Sequence, residues 1–252
     1  MMGRNYPKKP KEVYFFATCL VELFYPEAGL CGMQLLQREG VRVVYPKNQT
    51  CCGQPAYSNG RLEEARAMAI QQLSVFPEDW PVVLPSGSCA GMIRKHYPEL
   101  LAGTPYEVQA HQLANRTFEL TEFLVHVLNV ELTDQGQPVS VTWHGSCHSQ
   151  REMGVVDEPK HLLNQLTGVT LSPLQREKEC CGFGGTFAVR RPELSEAMVA
   201  DKVKDAESTG ATKLVSGDCG CLMNIDGHLK HTQSRVSGTH IAEFLWERTH
   251  AE

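Results

Sequence analysis

The sequence predicts an α/β protein of two similar, pseudo-symmetric units, each a small parallel sheet flanked by helices. Three observations lead there: a cysteine pattern written twice, apolar runs of strand length alternating with helical periodicity, and a linker-like stretch where the second copy begins.

The repeat comes first, because it changes the meaning of every later motif. Cys19 precedes Cys51 by 32 residues and Cys147 precedes Cys180 by 33; each later member opens a triplet, Cys51-Cys52-Gly53 and Cys180-Cys181-Gly182. A third station follows in each half, Ser86-Gly87-Ser88-Cys89 and Ser216-Gly217-Asp218-Cys219-Gly220-Cys221. The ends also correspond, Thr121-Glu122-Phe123-Leu124 with Ala242-Glu243-Phe244-Leu245. With ten Cys and 21 Gly in 252 residues, a random chain contains roughly 0.03 such triplets, so two of them mark a duplication. Asp134-Gln135-Gly136-Gln137-Pro138 has linker composition and divides the chain into units 1–133 and 134–252.

Within the first unit, Val13 to Ala17 is a short apolar strand running toward Cys19, Cys31 to Arg38 is helical, and Val41 to Tyr45 is a second strand. Cys51 to Pro55 is a loop. Arg61 to Val75 sets Leu62, Ala65, Ala69, Ile70 and Leu73 at helical spacing ahead of the strand Val82 to Leu84. The second unit repeats this order: strand Val139 to Trp143, helix Pro159 to Leu166, loop Cys180 to Gly185, helix Pro192 to Glu207, strand Lys213 to Val215. Alternating strands and helices call for parallel sheets with right-handed crossovers.

Bulk properties exclude several function classes. A net charge of -5 leaves no footprint for nucleic acid, and 252 residues bury enough surface to fold without disulfide staples. The apolar run Val13 to Leu23, broken by Thr18 and Glu22, is too short and polar for a transmembrane segment, and no small-residue cleavage site follows. A cytoplasmic protein is expected. Thiols there stay reduced, so ten cysteines point to metal or redox chemistry.

In parallel sheets the crevice beyond the carboxyl ends of the strands gathers loops, so each copy offers one thiol, an adjacent pair, and one more. Holding four as thiolates at pH 7 costs about 8 kcal/mol before mutual repulsion, and strong cationic charge must offset it. Zinc, a thiolate-bound iron–sulfur cluster and a metal-free disulfide cycle are the alternatives. Adjacent cysteines suit different irons of one cluster better than a single zinc ion, and a disulfide between them closes only a strained ring. Zinc in one or both units would make the chain a structural or docking module. Gly182, Gly184 and Gly185 leave amides free to approach sulfur, although a tight turn needing positive φ explains them equally well. Neither a dinucleotide fingerprint nor a P-loop is present, so no nucleotide site is expected.

Together, Cys19, Cys51-Cys52-Gly53, Cys89, Cys147, Cys180-Cys181-Gly182 and Cys221 resemble the duplicated cysteine-rich CCG domain family. That family includes the cysteine-rich subunit of heterodisulfide reductase, the iron–sulfur subunits of glycolate and glycerol-3-phosphate oxidoreductases, and a lactate-utilization branch. The last is the most similar, through Cys51 to Ala56, Cys180 to Phe187 and Cys221 to Ile225, and the likeness covers nearly the whole chain. The resemblance implies an iron–sulfur electron-transfer subunit, non-catalytic or co-catalytic, in a cytoplasmic complex that oxidises L-lactate to pyruvate. A ferredoxin-like iron–sulfur subunit and a third subunit would be its partners. It further implies that Cys19, Cys51, Cys52, Cys89, Cys147, Cys180, Cys181 and Cys221 hold one or two clusters, of [4Fe-4S] type, with zinc in one unit as the alternative. A role in a related glycolate or heterodisulfide oxidoreductase is the other reading. Two departures stand out. Met92 and Asn224 occupy the positions where heterodisulfide relatives carry a further cysteine, and Cys219 is an additional thiol. Repeat arithmetic favours Cys219 as the equivalent of Cys89, whereas the family pattern favours Cys221; we take Cys221 and keep Cys219 as a candidate fifth ligand.

Of the remaining residues, Cys31 reads as a small buried hydrophobe; His144 and His148 bracket Cys147, and His148 reads as a loop histidine satisfied by backbone, with a hydrogen bond to a cluster or a proton transfer coupled to electron transfer as the alternative. Trp143 and Phe183 are expected to shield the site. Arg190-Arg191, Lys202 to Lys204 and Glu63-Glu64 read as solvated helix faces, and no catalytic residue is assigned.

Overall fold

The computed structural model describes residues 4–250, so the outermost residues of both predicted units lie outside it. In the first half β1 (Glu12–Phe15), α1 (Cys19–Phe24), α2 (Pro26–Arg38) and β2 (Arg42–Val44) precede α3 (Gln54–Ser58), α4 (Leu62–Val75) and β3 (Val82–Leu84). Next come α5 (Gly87–Gly91), a π-helical turn at Met92–His96, α6 (Tyr97–Leu100), α7 (Glu107–Asn115), β4 (Thr117–Glu119) and α8 (Leu120–His126). The second half holds β5 (Val139–His144), a π-helical turn at Ser149–Met153, α9 (Glu158–Gln165), β6 (Val169–Leu171), α10 (Phe187–Arg190) and α11 (Pro192–Ser208). It ends with β7 (Lys213–Ser216), α12 (Cys219–His231), β8 (Ser237–His240) and α13 (Ile241–Thr249).

Both sheets are four-stranded and parallel, ordered β2-β1-β3-β4 and β6-β5-β7-β8. The two-unit α/β architecture is therefore as the duplication predicts. Strand β3 and helix α11 lie where the periodicity puts them. Helix α2 starts at Pro26, ahead of the predicted Cys31, because proline's fixed φ suits a first helical turn and Ala28 and Gly29 already face the core. Strands β4, β6 and β8 are too short to show a period in the sequence.

Alternation along the strands sorts the core. Val13 and Phe15 of β1, with Val141 and Trp143 of β5, face inward into a single apolar cluster that the two sheets share. Tyr14 and Phe16 face outward beneath α4 and α7, and Leu214 of β7 does so beneath α11 and α12. The halves also interlock: α13 packs on α2, and α8 packs on α9. Gly87 and Gly91, one turn apart on α5, admit the opposite half, since a Cβ at either would collide with Ser149 or Glu152. Glu119 and His240 hold equivalent positions, capping α8 and α13. His240 also donates from Nε2 to the carbonyl of Pro85 across the halves, at 3.0 Å.

The stretch with linker composition is anchored by a cation from the far end of the chain. Arg248 of α13 grips Asp134 with two hydrogen bonds, Nε to Oδ1 at 2.8 Å and Nη2 to Oδ2 at 2.6 Å. Gly168 N–H donates to the same carboxylate at 2.6 Å. Burial opposes ionisation of Asp134, but Arg248 and the Gly168 and Gly136 amides outweigh it and hold the carboxyl below its usual range. Replacing Arg248 with Ala removes that carboxylate's cationic partner and leaves it only amide donors, and is expected to cost about 3 kcal/mol in chemical denaturation at pH 7. A depressed pKa stabilises the fold above the ordinary carboxylate pKa and stops doing so as pH falls through the folded value, so the gap between variant and wild type should close in acid. A gap that persists unchanged at low pH would speak against this role.

Candidate metal centre

Strand order reverses between β1 and β3, and again between β5 and β7, and at such switch points loops leave the carboxyl ends in opposite directions and open a crevice. The cysteines sit there. Cys19 follows β1 at the first residue of α1, aimed by Thr18, whose φ of 74° is strained for a β-branched residue. Cys51 and Cys52 lie in the β2–α3 loop, and Cys89 lies in α5, which Ser86 caps by accepting from Cys89 N–H at 3.4 Å. The second half repeats this with Cys147 after β5, Cys180 and Cys181 in the β6–α10 loop, and Cys221 in the first turn of α12, capped by Asp218.

All eight predicted cysteines, together with Cys219, line one cavity of about 530 Å³ between the halves. Within it they form two quartets. Cys51 interacts with Cys19 and Cys52, and Cys52 Sγ lies 3.3 Å from Cys89 Sγ. Cys180 interacts with Cys147 and Cys181, and Cys181 with Cys221. All ten cysteines are free thiols. Gly53 N–H points at Cys51 Sγ at 3.5 Å and Gly182 N–H at Cys180 Sγ at 3.4 Å. The glycines serve both purposes: Gly53 and Gly182 have φ of 88° and 84°, and a Cβ at Gly182 would meet the Ser195 carbonyl at 2.8 Å.

The electrostatics are as doubled as the geometry. Hydrogen bonds from Cys19 and Cys52, then the Gly53 amide, draw Cys51 down to about 3 despite burial; Cys147, Cys181 and Gly182 likewise lower Cys180. Their partners move the other way: hydrogen bonding to the neighbouring thiolate, then burial, raises Cys19, Cys52, Cys147 and Cys181. Cys51 and Cys180 are thus drawn toward the thiolate, whereas Cys19, Cys52, Cys147 and Cys181 are held protonated and ionise only against a bound positive centre. A donor set of four clustered thiols with bare amides nearby fits a thiolate-ligated zinc ion or iron–sulfur cluster.

Several single residues depart from their sequence-based expectations. Lys202 is not on a solvated face: it is 1% exposed, and Nζ donates to the Arg176 carbonyl. Its spacing with Val199, Val203 and Ala206 is that of one buried helical stripe, a signal present in the sequence. His148 is held by Glu152 Oε1 at 2.8 Å rather than by backbone, and the same oxygen meets His96 Nε2 at 3.0 Å. Phe183 lines the cavity, but Trp143 belongs to the inner core. Cys31 is buried in α2, away from the cavity. Cys219, which also reaches the cavity wall, packs in the shared core, whereas Cys221 packs with Cys181 beneath α11. Asp218, which no local pattern marks, crosses the halves to accept from Ser88 N–H at 3.0 Å. Burial, then Lys202, lowers His144 to about 3, so its imidazole is neutral.

Comparison with known proteins agrees with this architecture. The cysteine-rich CCG domain matches twice, over residues 13–94 and 141–226. Lactate utilization protein A of Shouchella clausii (strain KSM-K16) is 44% identical over 234 residues, 92% of this chain and 98% of that one. The protein of that name from Geobacillus kaustophilus (strain HTA426) is 45% identical over 235 residues, 93% of this chain and 98% of its own. Among solved structures, a hypothetical protein from Helicobacter pylori shares the fold, with a TM-score of 0.67 and 12% identity; this chain is fully covered and spans 52% of that one. The chain belongs to the cysteine-rich CCG domain family, which it carries in two copies, and to the lactate utilization A proteins within it.

Proposed function

We propose that this chain is the iron–sulfur electron-transfer subunit of a cytoplasmic complex that oxidises L-lactate to pyruvate. Eight thiols, brought from six separate stretches into two matching quartets around one cavity, carry the reading. Cys19, Cys51, Cys52 and Cys89 would hold one cluster, and Cys147, Cys180, Cys181 and Cys221 the other. A four-thiolate set suits [4Fe-4S], and such a cluster, when bound, carries one electron at a time. The protein's own part is to supply thiolates, to direct the Gly53 and Gly182 amides at sulfur, and to enclose the site, all levers on reduction potential. Relatives named for lactate utilization support the substrate. A ferredoxin-like iron–sulfur subunit and a third subunit would pass electrons on and bind the hydroxy acid. Among the described residues no helix is long and apolar enough to cross a membrane.

Iron, acid-labile sulfide and zinc measured on protein purified without air test the proposal. Brown protein with about four irons and four sulfides per loaded quartet, bleaching on reduction, is expected. Colourless protein replete with zinc and lacking sulfide would overturn it in favour of a structural module.

A further inference from the structure

We infer that His144 is a nitrogen donor to the metal centre of the second half, giving that centre a mixed sulfur–nitrogen ligand shell that the first half cannot form. This rests on the reading of the Cys147–Cys221 quartet as a metal site. A ligand nitrogen of His144 and the Sγ atoms of Cys181 and Cys221 all lie within 4.8 Å of one another, in reach of a single ion. His144 is 1% exposed, and neither ring nitrogen has a hydrogen-bond partner. A buried imidazole with two unmet polar atoms costs free energy, and natural structures tolerate one where an ion completes it. Imidazole and thiolate together suit both iron and zinc.

The repeat supplies an independent argument. The offset that carries Cys19 to Cys147 carries Phe16 to His144, so the same position at the carboxyl end of the central strand is a phenyl ring in one half and an imidazole in the other. Phe16 is fully buried against Phe76, with ring centroids 5.7 Å apart, in an apolar layer. Around His144 the corresponding layer holds Thr142 and Ser216, whose buried hydroxyls also lack partners. The two centres are thus chemically unequal.

Pulsed electron paramagnetic resonance on the whole, anaerobically purified chain, grown with ¹⁵N-histidine or with unlabelled histidine, reads this directly. A histidine-nitrogen coupling should appear in wild type, persist in His148→Gln, and vanish in His144→Phe at unchanged first-half iron content. Should His144→Phe fail to fold, the labelled wild type and His148→Gln still decide. Absence of any histidine coupling in iron-loaded protein, or its survival in His144→Phe, would overturn the inference. If the protein instead holds zinc without sulfide, the cluster reading fails while X-ray absorption at the zinc edge tests His144: a mixed nitrogen–sulfur shell supports it and an all-sulfur shell overturns it.

Discussion

Replacing Cys180 with Ser is expected to halve the metal content of the chain, abolishing the second centre and leaving the first in place. Cys180 is the one thiol of its quartet drawn toward the thiolate state by its neighbours and by the Gly182 amide, so it is the natural first ligand. A serine hydroxyl stays protonated where the thiol ionises, and it is a poor donor to soft metal. Cys51→Ser should do the reverse, by the matching geometry of the first half. Cys31→Ser should change neither centre, because Cys31 is packed within α2 and does not line the cavity. Metal and sulfide analysis of the three variants, beside their visible spectra, is the check. Loss of both centres from either single variant would show that the quartets do not load independently.

Separating the halves should abolish folding. A chain ending at residue 133 loses α13 and α9, against which α2 and α8 pack, and strips the inner face of its sheet. Leu35, Leu36, Phe123 and Leu124 are nearly fully buried in that shared cluster. At about 1.5–3 kcal/mol for each large apolar side chain fully exposed, the loss from these four is at most roughly 6–12 kcal/mol. That matches the whole stability of a typical domain, about 5–15 kcal/mol. The isolated fragment is expected to show no cooperative thermal transition, and co-expression of residues 134–252 should restore one. A monomeric fragment that melts sharply by itself would contradict the shared core.

Local signals carried much of the architecture. The apolar spacing of Arg61 to Val75 and the strand at Val82 to Leu84 are present in the structure within a residue, because helix and strand periods depend only on near neighbours. The repeated thiol stations were legible for a different reason: a pattern written twice needs no tertiary information to be recognised, although only the family resemblance preferred Cys221 to Cys219. Lys202 and Arg248 show where local signals stop. Both are cations; Lys202 reads from the sequence as part of a solvated face, and no local pattern marks Arg248. Each is buried because a distant group awaits it: the Arg176 carbonyl for Lys202, the Asp134 carboxylate for Arg248.

By itself, then, the sequence determined the duplication, the alternation of the longer strands and helices, and the repeated thiol stations of each copy. Tertiary structure alone decided that both quartets open onto one cavity, that the two sheets share their inner core, and that His144 stands unpartnered beside Cys181 and Cys221. The reason is range. Periodicity and repeat are properties of the chain read along its length, whereas burial of a polar group and the meeting of two sheets depend on contacts more than a hundred residues apart, such as Asp218 with Ser88 and Arg248 with Asp134.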